Sequence, residues 1–170
     1  MGRPELGTRS AQQLQETLVE ADIQPVHAES GHVLELGDGA KLHVHASGPR
    51  GAILLLEWVD FHALLPVGID FDILEKVEAD PNLIPVTALL LADSGYAPAN
   101  PPQWIAKLHP QMILLSVVAD DFDGPPSPET IEAVEGYTLL RTDRNGWIEL
   151  TTDGEQLLVE VESKLILPSR

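Results

Sequence analysis

His43 and His45, in the stretch KLHVHA, are the two residues of this chain best spaced to hold a transition metal. Side chains alternate faces along an extended strand, so both imidazoles project from one side and can chelate an ion such as zinc. A working site also needs a third ligand and an open position. Without those, a pair of strand histidines reads as the solvated face of a hairpin. The run Asp120-Asp121-Phe122-Asp123 offers oxygen ligands for calcium or magnesium, but it lacks the spacing of a calcium loop and reads as a solvated acidic turn. Asp93-Ser94-Gly95 places a serine after an apolar run. The Gly-x-Ser-x-Gly elbow is missing and no histidine base follows in a recognisable arrangement, so this too reads as a loop. His62 is expected on a strand face, His109 as a cation at a helix end, and His27 and His32 in a loop around Gly31. Tyr96, Trp104 and Trp147 are separated and lack interleaved Lys or Arg, which points to core or edge packing rather than a base-stacking platform.

The elements that must position these residues follow from periodicity. Ser10 can cap an N-terminal helix carrying Leu14, Leu18 and Val19, which ends before Pro25. VLELGDGAKLHVHA has alternating segments around Gly37-Asp38-Gly39, the signal of a β-hairpin. ILLLEWV and FHALLPVG, parted at Asp60, read as buried central strands. A short helix is expected from Asp72 to Ala79, a strand from Val86 to Ala92, and a helix launched by Pro101-Pro102. Next come the strand MILLSVV and a helix started by Ser127-Pro128-Glu129 and stopped by Gly136. Three closing strands are joined at Asn145-Gly146 and Asp153-Gly154, both hairpin signals.

Composition bounds what such a chain does. At 170 residues and 44% hydrophobic content it is one domain's worth with enough apolar mass for a core. Ten Lys+Arg against 27 Asp+Glu give a net charge of −17, which repels a nucleic acid backbone on average. The absence of cysteine removes disulfides, thiolate nucleophiles and thiolate metal sites. The longest apolar runs, Ala52 to Leu56 and Ala88 to Ala92, fall far short of the roughly 20 residues that cross a bilayer. MGRPELGTRSAQQLQ lacks the basic start and apolar core of a signal peptide, so export would depend on sequence outside this stretch.

Four stretches, in order, carry a resemblance. They are VLELGDGAKLHVH, GAILLLEWVDFHALLPVGID, ALLLADSGYAPANPPQWIAKLHPQMILLSV and DGPPSPETIEAVEGYTLLRTDRNGWIELTTDG. Together they resemble the C-terminal half of the metallo-β-lactamase-like domain of the ComEC family of DNA-internalisation competence proteins. The last stretch is the most specific, through its PSPE helix start, RTD turn and TTDG hairpin.

That resemblance implies an α/β (α+β) fold, a mixed sheet with helices on one face, forming one half of an αββα sandwich. Active members of the superfamily hold metal with an HxHxDH cluster from the first half. An aspartate, a His-His-Gly-Ser type loop and a Gly-His-Pro histidine come from the second. Here only Asp70 matches, as the bridging aspartate and one residue off the usual spacing. The histidine loop reads Asp93-Ser94, and Pro125 stands at the last histidine. The expectation is therefore a non-catalytic structural or interaction module of a ComEC-like, membrane-associated DNA-uptake protein, with no cofactor. A metal-dependent hydrolase or nuclease using His43, His45 and Asp70, or an absent first half, is the alternative. The half-domain is placed at residues 12–165, after an extension at 1–11 and before a tail at 166–170. Its inner sheet face is expected to lie uncovered and to take a second copy or the missing half. DNA is met only indirectly, and this segment does not insert into a membrane.

Overall fold

The computed structural model describes residues 9–68, 71–80, 84–118 and 124–162. Asp70, the run Asp120 to Asp123 and the 166–170 tail lie outside the described residues. Helix α1 (Arg9–Glu20) is followed by two antiparallel hairpins, β1 (Val33–Gly37) with β2 (Ala40–Gly48) and β3 (Gly51–Trp58) with β4 (Phe61–Val67). The chain then alternates: α2 (Phe71–Glu78), β5 (Ala88–Leu90), α3 (Pro102–Leu108), β6 (Met112–Leu115), α4 (Pro128–Ala133) and β7 (Thr138–Arg141). A helical turn, α5 (Thr142–Asn145), leads to the closing hairpin β8 (Ile148–Thr152) and β9 (Leu157–Val161).

The strands form one mixed seven-stranded sheet in the order β1-β2-β3-β4-β5-β6-β7, antiparallel from β1 to β4 and parallel from β4 to β7. The fold is thus α/β, as expected. Asp38 and Gly39 both have positive φ, the two-residue turn geometry whose twist suits a tight hairpin. In the β3–β4 turn at Val59 and Asp60 it is Val59 that holds the left-handed conformation, with a φ of 53°.

Each face of the sheet has its own cover. Ile53, Leu64, Leu89, Ile113 and Leu115 point to the helices and pack against Ile73 and Val77 of α2, Trp104, Ile105 and Leu108 of α3, and Val134 after α4. On the opposite face, Phe61, Ala63, Ala88 and Met112 meet Leu150, Leu157 and Val159 of the β8–β9 hairpin.

Three expectations change. The face without helices is covered in part by β8–β9, which forms a separate two-stranded sheet rather than joining the first. Asn145-Gly146 does not turn a hairpin: residues 142–145 coil helically, and the Asn145 side chain accepts from Arg141 N–H at 2.9 Å. Ser10 falls inside α1, whose first residue is Arg9.

Next to the alanine and methionine positions that the hairpin covers runs a second transverse row. Leu54 pairs with Leu65, Leu90 with Leu114, and Leu114 with Leu140; Leu65 and Leu90 follow the registered pair Leu64–Leu89 by one residue. All five leucines are only half-buried, and beside them Val67 is 54% exposed.

Candidate functional site

Strands β4 to β7 run parallel, so their C-terminal ends lie along one edge, where α/β sheets gather ligands. After β5 the chain makes a tight turn in which Asp93 (φ 42°) and Ser94 (φ 53°) are both left-handed. Non-glycine residues pay roughly 1–2 kcal/mol each for that conformation, so something must hold them. Asn100 does so. Its side chain, 1% exposed, accepts from Ala92 N–H at 2.8 Å and donates to Ala92 O at 3.0 Å and Tyr96 O at 2.8 Å. The Asp93 side chain is left exposed and that of Ser94 half-buried.

The loop after β6 is stapled to this turn. Ser127 stands at the N-cap of α4 as expected, but its Oγ accepts from Ala97 N–H at 3.1 Å rather than capping the helix, and its own N–H donates to Gly95 O at 3.1 Å. A side chain on Gly95 would collide with Pro126, so the two loops lie in direct contact. Pro125 precedes Pro126 across a cis peptide and lines a groove of about 600 Å³, with Val117, Ile131, Arg141 and Arg144 also on its walls. Arg141 grips Asp143 through two bonds, Nε to Oδ1 at 3.0 Å and Nη2 to Oδ2 at 2.7 Å. That grip holds the Asp143 carboxyl below the usual range, against the opposing push of burial. Among the described lining residues there is no imidazole or thiol, and the carboxylate of Asp143 is held by Arg141; the run 119–123 that joins Val118 to Gly124 lies outside the described residues.

The histidine pair sits elsewhere, on the helix-covered face. A β-bulge between Val44 and Ala46 makes His45 the extra residue of β2, and both imidazoles line a cavity of about 230 Å³ with Leu55, Glu57, Leu64 and Val86. They are not solvated: both residues are half-buried, and both Nε2 atoms are sealed from solvent. His43 Nε2 lies 3.4 Å from Glu57 Oε2, and His45 Nε2 lies 2.9 Å from Asp80 Oδ2. Neither contact has hydrogen-bond geometry, so each is a short-range electrostatic pairing, effective when the imidazole is charged. The two histidines thus address different carboxylates, one on β3 and one beyond α2. Among the described residues no three His, Asp or Glu side chains come together as a metal ion would require.

The remaining residues divide plainly. His27 and His109 are exposed, and His32 pairs with Glu29 at 3.4 Å in its loop. His62 is a half-buried strand residue opposite Glu57. Trp104 is core, whereas Tyr96 and Trp147 are about half open to solvent, more than packing residues would be. Asn100 and Thr142 escaped the reading of the sequence. Thr142 Oγ1 accepts from Val117 N–H and donates to Val117 O, both at 2.8 Å. A lone Asn between Ala and Pro carries no sign that it is buried.

Comparison with known proteins gives no match: no family model, no curated protein and no solved structure matches the chain.

Proposed function

We propose that the chain is a non-catalytic domain of metallo-β-lactamase ancestry, acting as a structural or interaction module of a ComEC-like DNA-uptake protein. The observation that carries this is the half-open row Leu54, Leu65, Leu90, Leu114 and Leu140 on the face without helices. A sheet with two apolar faces calls for a layer on each, and β8–β9 supplies only part of the second. In the resemblance, that face belongs against the first half of the sandwich. The loops at the edge add support, because Asn100 and Ser127 lock them rigidly around Asp93, Ser94 and Pro125, none of them an imidazole. With a net charge of −17, contact with DNA belongs to other parts of such a machine.

The test is metal analysis of the purified chain after equilibration with zinc or manganese, with a phosphodiesterase assay on the same samples. Substoichiometric metal and no turnover above blank are expected. Stoichiometric metal together with activity that His43→Ala abolishes would establish the hydrolase instead.

A further inference from the structure

Strand β7 closes the seven-stranded sheet and pairs with β6 alone. Two backbone donors at its ends show which way it turns. Tyr137 N–H donates to Val134 O at 3.1 Å and Arg141 N–H to the Asn145 side chain at 2.9 Å, neither of them toward β6. Successive residues of a parallel ladder alternate direction, so Leu139, midway between those two, also turns its N–H and C=O toward the open edge. An extended chain is what meets such a pair.

Beside this edge, on the helix-covered face, runs a groove of about 510 Å³, within the roughly 300–1,000 Å³ of small-ligand clefts. Its apolar floor includes Ile131, Tyr137 and Leu139, all half-buried against the core. Glu132 and Glu135 stand on its rim, exposed and in no ion pair among the described residues. Glu132 lies in the last turn of α4 and Glu135 follows its C-cap, Val134. Both carboxylates therefore face the negative end of the helix, where a cation is favoured. The described lining holds no Lys or Arg, and Arg141, at the far end of β7, already has its charge held by Asp143.

We propose that the groove between α4 and the open edge of β7 binds an extended basic peptide segment of a partner protein. Its backbone bonds to Leu139, an apolar side chain rests on the floor, and a Lys or Arg two residues away, on the same side of the extended peptide, meets Glu132 and Glu135. Charge selects this occupant. A second copy of net charge −17, or a nucleic acid, would bring more negative charge to an acidic rim. A small polyamine would leave the apolar floor and the Leu139 backbone unmet. The site lies on the opposite face from the leucine row, so it goes beyond the reading above and does not depend on it. A contact this short is far below the ~800 Å² per partner of a standard interface, which places it in the weak, salt-sensitive class.

The test titrates the full chain, labelled for amide NMR, with four hexapeptides in which Lys alternates with Val, Ile, Leu or Phe. At least one should saturate with a Kd of about 10 µM to 1 mM, shift the amides of Leu139 and of residues 132–136, and weaken as salt rises. Glu132→Lys with Glu135→Lys should lower that affinity about tenfold and let the matching Glu-alternating peptides bind instead, a gain that misfolding cannot imitate. Glu149→Lys with Glu160→Lys, an exposed pair on the β8–β9 hairpin, changes net charge equally and should leave the affinity within about twofold. Failure of all four peptides to saturate overturns the proposal, as do shifts confined to other elements. Equal binding by hexalysine, or equal loss in the two double variants, would reduce it to general attraction by an acidic surface.

Discussion

Asn100 closes the turn after β5 by accepting from the N–H and donating to the C=O of one residue, Ala92, eight positions earlier. The pairing mimics a strand ladder where no strand is present. Asn100→Ala should cost about 2–4 kcal/mol, because it orphans buried backbone groups as well as losing bonds. Urea unfolding measures this, and a cost under about 0.5 kcal/mol would show that the turn holds itself.

Trp104 is buried to 1% exposure, and its indole N–H has no acceptor among the described residues. Two terms then oppose each other on truncation. Trp104→Ala should lose about 3–5 kcal/mol to the cavity. Trp104→Phe should lose much less, about 1 kcal/mol, since it also removes an unpaired buried donor. Equal costs for the two variants by thermal or urea unfolding would contradict that division.

Val59 is a β-branched residue held at a φ of 53° with its side chain 62% exposed. Asparagine takes this conformation far more readily. Val59→Asn should therefore raise stability by about 1 kcal/mol, seen as a higher urea midpoint with an unchanged slope.

Asp143 gives a pH dependence with a definite sign. Its carboxyl titrates below the ordinary 3.8, first through the hydrogen bond from Arg141. A depressed folded-state value means that the charged form is favoured by folding. The contribution is complete above the unfolded value and is lost as pH falls through the folded one. At pH 7 Asp143→Asn should cost up to about 1 kcal/mol after solvent screening, and the gap between variant and parent should narrow as pH falls below the ordinary carboxylate range. A gap that persists in acid would place the effect in packing rather than charge.

Much of the fold was legible because its signals are local. Gly37-Asp38-Gly39 demanded a turn, Pro101-Pro102 a helix start, and the period of two in FHALLPV a strand. Misreadings came where distant contacts decide. Asn145-Gly146 satisfies a hairpin rule, yet Thr142 is tied to Val117 across the sheet, and the chain coils before it can turn. The expected strand from Val86 to Ala92 is in the structure only Ala88–Leu90, of which Ala88 and Leu89 have register partners on both sides. At the site, a period of two put His43 and His45 on one side without showing the bulge, nor that Glu57 and Asp80 would each take one imidazole. Partner choice among charges is a property of tertiary structure, and spacing along the chain does not encode it.

The β8–β9 hairpin has no backbone hydrogen bond to the large sheet among the described residues; leucine and valine side chains alone hold it there. Ladder and attachment thus rest on different interactions. Amides of β8 and β9 should exchange with solvent by a subglobal opening, well before those of β4 to β6. In that opened state the uncovered alanine and methionine row would merge with the leucines beside it. The hairpin thus shields part of the apolar face through side-chain packing, without extending the large sheet's ladder.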